Sequence, residues 1–202
     1  QSGVKQDRIF FVGNAMIDTL LANENRFTPP SFFSERKLVP QRYLVLTMHR
    51  PANVDNIDKL SAFLKEIMDN TLDFPVIFPI HPRTKKNYSQ LNVKFENLFL
   101  CEPLPYLEFN FLVKHAKAVI TDSGGITEET TVMRVPCITL RNNTERPETC
   151  TIGTNELIGT NPEAIKPALD KLFSGNWKKG DIPPLWDGKA AERIISHLST
   201  YQ

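Results

Sequence analysis

Apolar residues along the chain fall into short, nearly unbroken runs, separated by stretches in which they recur every three or four positions. The runs 8–12 (RIFFV), 43–47 (YLVLT), 75–80 (PVIFPI), 98–101 (LFLC), 118–121 (AVIT) and 136–140 (PCITL) are rich in β-branched and aromatic residues. Runs without polar alternation are what parallel strands need when helices cover both faces of their sheet. Between them, Ile57, Leu60, Phe63, Leu64 and Ile67 keep helical spacing, and Asn56 or Asp55 stands where an N-cap belongs. Helices are likewise expected over 106–116, 125–135, 161–173 (opening on Asn161-Pro162) and 188–198. The alternation predicts an α/β fold with a doubly wound parallel sheet and right-handed crossovers. The stretch 174–188 is rich in glycine and proline and reads as irregular.

Composition narrows the field. The chain has 202 residues, 41% of them hydrophobic, and a formal net charge of +1. That balance offers no general attraction for nucleic acid or an anionic membrane, so a charged ligand must be met locally. Cys101, Cys137 and Cys150 are odd in number and lack metal-site spacing, so they read as reduced thiols of a cytoplasmic protein. No run is long enough to span a bilayer, and no secretory leader is visible. The abrupt start in RIFFV suggests a domain of a longer chain.

The candidate chemistry gathers where strands end, which is where open α/β sheets bind ligands. After AVIT comes Asp122-Ser123-Gly124-Gly125 and then a helix. Free N–H groups at a helix start, with glycine permitting close approach and a serine hydroxyl nearby, suit a phosphate. Gly125 and Glu129 are four apart and share a helix face, so a ribose attached to that phosphate would reach the Glu129 carboxylate. Glu128 reads as a solvated acid. An ordinary turn is the alternative for this corner. His49 and Arg50 follow the second run, and His81 and Arg83 the third; His49 could face a phosphate or protonate a leaving group, or be hydrogen-bonded within its loop. Lys85 and Lys86 read as a solvated face. Pro103 and Pro105 stiffen a loop that could read a base edge. Phe109 could lie against the base or begin the core of its helix, and Tyr106 reads as core. Arg141, Glu145, Arg146 and Glu148 cluster after PCITL. There Arg146 could meet a phosphate or join a salt-bridge network.

The segments TMHRPANVDN, FPIHPR, TDSGGITEET, PCITLRNNTERPET, GTNELIGT and DGKAAERI together resemble the non-hydrolysing UDP-N-acetylglucosamine 2-epimerases, in order and spacing over nearly the whole chain. The opening VGNAMIDTLL is similar to the segment that begins the second half of those enzymes. The resemblance implies that residues 1–202 form one carboxyl-terminal Rossmann-like domain of a glycosyltransferase-B-type fold, with 187–200 a terminal helix and an amino-terminal domain outside this sequence. It implies interconversion of UDP-GlcNAc and UDP-ManNAc by elimination and re-addition of UDP, without metal or redox cofactor, and a homodimeric parent. It gives His49 to the diphosphate, with a catalytic part, and Leu104 and Phe109 to the uracil side. Ser123, Gly124 and Gly125 match the phosphate turn, Glu129 the ribose carboxylate, and Arg146 the arginine of the TERPE motif. Arg50 and His81 match residues of a regulatory second substrate site. The chain departs there, with Ala52 where many members carry a glutamate, and Leu104 where some carry glutamine. A UDP-sugar-binding regulatory module, or half of a glycosyltransferase, are the competing expectations.

Overall fold

A computed structural model describes residues 3–91 and 93–200. The chain divides into two compact units, one of Gln1–Arg26 with Pro183–Gln202, the other Phe27–Ile182.

The larger unit is a six-stranded sheet: β1 (Leu44–Thr47), β2 (Val76–Pro79), β3 (Leu98–Cys101), β4 (Ala118–Thr121), β5 (Cys137–Thr139) and β6 (Asn155–Leu157). All neighbours are parallel and the spatial order is β3-β2-β1-β4-β5-β6. The helices in chain order are α1 (Ala15–Asn23), α2 (Phe32–Glu35), α3 (Pro51–Val54), α4 (Ile57–Asn70), α5 (Pro82–Tyr88), α6 (Tyr106–His115), α7 (Gly124–Val132), α8 (Glu148–Thr151), α9 (Ile165–Phe173) and α10 (Ala190–Ser199).

Successive strand side chains point to opposite faces, and the core divides accordingly. Leu44, Leu46, Val76, Phe78, Ala118, Ile120 and Ile138 meet Leu60, Phe63, Leu64 and Ile67 of α4 and Ile165, Leu169 and Leu172 of α9. Tyr43, Val45, Ile77 and Val119 meet Leu112 and Val113 of α6 on the other face. Burial on both faces is why the strands read as unbroken apolar runs. The Asn56 side chain accepts from Lys59 N (2.9 Å), which starts α4 where the sequence places its cap. Truncating Phe63 to alanine removes a fully buried ring and costs about 3–5 kcal/mol.

Three expectations change. The run 8–12 forms no strand; Gln6–Arg8 is a short 3-10 turn, and Ile9, Phe10 and Phe11 are exposed. An apolar run signals a wish for burial, not a backbone partner. β6 was not foreseen, because three residues with a polar start carry too little pattern. It exists by pairing with β5 at the sheet edge, where Thr139 Oγ1 donates to Asn155 Oδ1 (2.5 Å). The helices α1, α2, α3, α5 and α8 were also unforeseen, most being single turns.

In the terminal unit, Asn14 caps α1 by accepting from Met16 N (2.9 Å), and Asp18 accepts from Ala190 N (3.0 Å) and Ala191 N (2.7 Å) at the start of α10. Gly13, at φ +97°, is required: a Cβ there would stand 2.1 Å from the Leu185 carbonyl oxygen. Among the described residues no helix is long and apolar enough to cross a membrane.

Candidate functional site

The strand order reverses between β1 and β4, and a crevice opens at the carboxyl ends of such a pair. The two strands are in register to their last residues, Thr47 opposite Thr121, whose hydroxyls lie 2.6 Å apart. Everything beyond those threonines is tied to Asp122. Its side chain is wholly buried. Oδ1 lies 2.9 Å from His49 Nδ1, and Oδ2 accepts from Arg50 N (2.9 Å) and Asn53 Nδ2 (3.2 Å). His49 N donates to both oxygens at 3.1 Å, and Arg50 Nε donates to the Asp122 carbonyl (2.7 Å). Burial alone would raise the Asp122 carboxyl; the hydrogen bonds from His49, the Arg50 N–H and Asn53 outweigh it and hold the group below the usual range. In the sequence Asp122 reads only as part of a turn. Its one sequence signal was an acid at a strand end immediately before the glycines.

Ser123 is the N-cap of α7 in extended conformation, yet its side chain caps no helix N–H. The first turn of α7 therefore presents amides without side-chain capping, and Gly124 and Gly125 lie in it. A Cβ on Gly124 would stand 3.3 Å from Arg141 Nη1 and 3.4 Å from Glu145 Oε2. Arg141, itself buried, holds Glu145 through two parallel bonds (Nη1 2.9 Å, Nη2 2.7 Å) and reaches Asn143 (3.2 Å). That contact depresses the Glu145 carboxyl to about 2. An internal carboxylate thus stands beside the turn that the sequence assigns to a phosphate.

Arg146 donates through Nε to Glu128, and through Nη1 to the Glu145 carbonyl (3.4 Å). The salt-bridge alternative for Arg146 is the arrangement present here. Glu128 is not the solvated acid expected but is buried, because Arg146 supplies its counter-charge. Glu129, four residues from Gly125, is also buried. Burial raises its carboxyl, hydrogen bonds from Tyr106 and Asn110 pull it back, and Glu128 adds to the rise. Tyr106 is therefore no core residue: it is 40% exposed and spends its hydroxyl on Glu129, with burial foremost in pushing that hydroxyl up. Asn110 Oδ1 is buried without a hydrogen-bond partner.

On the other side of Asp122 lies a cleft of about 190 Å3 lined by His49, His81, Pro103, Leu104 and Phe109, among others. The two imidazoles lie 6.1 Å apart, centre to centre. His81 Nδ1 accepts from Arg83 N (3.2 Å) as the N-cap of α5. Arg83 itself turns away to Asp55 (2.8 and 2.6 Å), and Lys85 pairs with Glu102, so neither lends charge to the cleft. His115 Nδ1 donates to the Phe111 carbonyl (2.9 Å) inside its helix, a structural contact. The structure thus brings His49, His81, Leu104 and Phe109 to one cleft. Ser123 is the N-cap of α7 with Gly124 and Gly125 in its first turn, Glu129 lies one turn further along, and Arg146 is beside Glu128. A larger recess of about 540 Å3, lined mainly by apolar side chains such as Phe10, Val12, Ile194 and Leu198, belongs to the terminal unit and lacks such a cluster. Among the described residues no three His, Cys, Asp or Glu side chains are grouped to hold a metal, and the three cysteines are free thiols.

The comparisons with known proteins bear on the fold and the family. A UDP-N-acetylglucosamine 2-epimerase of Methanocaldococcus jannaschii is 38% identical over 212 residues, 98% of this chain and 57% of the relative. The chain thus spans little more than half the length of that relative. A crystal structure of the M. jannaschii enzyme in complex with UDP-GlcNAc and UDP superposes with a TM-score of 0.84 at 38% identity, over 98% of this chain and 56% of that one. The glycosyltransferase VinC in complex with dTDP, 14% identical with a TM-score of 0.54 over 85% of this chain and 40% of that one, shares the fold alone. The α/β sheet is accordingly that of half a glycosyltransferase-B-type fold. The sequence model of the UDP-N-acetylglucosamine 2-epimerases matches residues 1–199, and the chain belongs to that family.

Proposed function

We propose that residues 1–202 act as the UDP-binding domain of a UDP-N-acetylglucosamine 2-epimerase, which interconverts UDP-GlcNAc and UDP-ManNAc. The observation that carries this reading is one sheet edge that gathers a cleft at Leu104 and Phe109 for the base, the buried Glu129 carboxylate for the ribose, and the uncapped first turn of α7 near His49 for the diphosphate. Phe109 and the backbone at Leu104 take the uracil. The amides of the α7 first turn and the Ser123 hydroxyl take the diphosphate, with His49 above it and Arg146 released from Glu128 to join them. Glu129 takes the ribose diol. Arg50 and His81 belong to a second, regulatory substrate position, weakened by Ala52.

In the reaction a base removes the C2 proton and the C1–O bond to UDP breaks, leaving a glycal. UDP then re-adds while a proton returns to the other face of C2. No net oxidation occurs, so the chemistry balances without a cofactor. This domain stabilises and retains the leaving UDP, and the groups that move the C2 proton lie in the amino-terminal domain of a cytoplasmic, homodimeric parent. Loss of a proton-transfer group costs about 10²–10⁴-fold, so the chain alone is expected to give no measurable epimerisation. Calorimetric titration with UDP, UMP and inorganic phosphate tests the reading. UDP should bind most tightly, and Glu129→Ala and Arg146→Ala should each weaken it. Equal affinity for UDP and phosphate would remove the nucleotide from the proposal.

A further inference from the structure

We infer that Asp122 is the positioning residue of this site: it fixes which ring nitrogen of His49 is left for a ligand, and locks that ring to the turn that carries Ser123 and Gly124. The inference about the ring rests on the ligand-free geometry. Its consequence for UDP rests on the proposed function.

The argument is one of donors and acceptors. An ionised carboxylate only accepts. Asp122 faces four donors: His49 N, Arg50 N, Asn53 Nδ2 and, at Oδ1, His49 Nδ1 at 2.9 Å. Nδ1 must therefore carry its hydrogen, and Nε2 is left bare in the neutral ring, where it can take up a proton and donate it to a phosphate oxygen as an imidazolium that the Asp122 carboxylate supports and a neutral asparagine does not. The two oxygens are not equivalent. Oδ2 is committed to Arg50 N (2.9 Å) and Asn53 Nδ2 (3.2 Å), while Oδ1 serves the imidazole. The residue also anchors through its main chain, since its carbonyl accepts from Arg50 Nε at 2.7 Å and the next residue is the N-cap of α7. Asp122 is thus the link between the segment 48–53 and the anion turn, so His49 cannot move without moving relative to a phosphate seated there.

Asparagine at 122 makes a sharp test. Its single acceptor oxygen belongs at the Oδ2 position, where two N–H donors wait, which puts its NH2 against His49 Nδ1. That nitrogen must then accept, and the hydrogen moves to Nε2. Nitrogen-15 NMR of the four histidines, with the rings neutral and His49→Gln used to assign the signal, reads this directly. The wild-type chain should show His49 protonated on Nδ1, and Asp122→Asn should show it protonated on Nε2. In the same variant, affinity for UDP should fall about tenfold while that for uridine, which carries no phosphate, stays within twofold; a general loosening of the fold would weaken both. A wild-type His49 protonated on Nε2, or a folded Asp122→Asn chain with the hydrogen still on Nδ1, overturns the inference. The wild-type measurement needs no ligand to bind, and of the variants only His49→Gln, for assignment, must fold. Absence of UDP binding by the wild-type chain would count against the proposed function and leave the ring assignment standing.

Discussion

The two halves of the sheet's carboxyl edge are built on opposite principles. After β2 and β3 the loops line a cleft with little charge: two cations of those segments, Arg83 and Lys85, are held by Asp55 and Glu102. After β4 and β5 the charges turn inward and are paired in advance, Arg141 with Glu145 and Arg146 with Glu128, while Glu129 sits buried under Tyr106 and Asn110. One half offers a surface that a flat ring can cover without exchanging ion pairs. The other holds cations that already have partners, so in the proposed function a phosphate there exchanges with an internal carboxylate instead of adding a new interaction. In each pair one member, Arg141 or Glu128, is buried and its partner is partly exposed, so the partner can be exchanged at modest cost while the buried member keeps a counter-charge.

Asp122 joins the halves, and its removal is the largest expected effect. Asp122→Ala removes the buried acceptor shared by donors of His49, Arg50 and Asn53 and should cost about 3–5 kcal/mol in urea unfolding. Because its folded carboxyl lies below the unfolded value of about 3.9, its contribution is present above that value and lost as pH falls through the lower folded one. The variant should lack that acid slope, and a loss below about 1 kcal/mol would mean that the halves are not joined here.

Glu129→Gln tests the charged half by opposing signs. UDP affinity should fall about tenfold or more, as expected for a hydrogen bond to a charged group, yet stability at neutral pH should rise. The folded carboxyl is raised by burial, so the ionised form is penalised in the folded state, and that penalty fades as pH falls through the folded value towards the unfolded one. Urea midpoints at neutral and mildly acidic pH would show the advantage shrinking; a variant less stable at neutral pH would reverse the account.

Phe109→Leu probes the cleft. Its cost to UDP should be about fivefold, from the aromatic contact beyond equal apolar area, with no change in affinity for pyrophosphate. Loss of both together would erase the division of labour between the halves. Glu145→Gln is the smallest effect. Freed of its exposed counter-charge, Arg141 should raise pyrophosphate affinity about two- to fivefold, the range of a surface pair, with the gain screened away by salt. Weaker binding would show that Glu145 orients Arg141 and does not compete with the ligand.

Much of this could be read from the chain alone, and for definite reasons. Five strands and the helices α4, α6, α7, α9 and α10 follow from burial on both sheet faces and from amphipathic spacing, signals that lie within a few neighbouring residues. So do the amino-terminal caps Asn56 and Asn161, and the glycine turn at the end of β4. What the sequence could not decide were pairings across the fold. RIFFV has the composition of a strand without a strand to pair with, and Asn155–Leu157 has the pairing without the composition. Glu128 and Tyr106 exchanged their expected places, one buried by Arg146 eighteen positions away, the other held at the surface by Glu129. Asp122 is the fullest case. Strand order alone brings it against His49, 73 residues earlier in the chain, and a carboxylate's partners are set by which donors the fold packs around it. Residue type and local spacing are written in the sequence; the counter-charges and hydrogen-bond partners that give those residues their chemistry come from segments the sequence keeps apart.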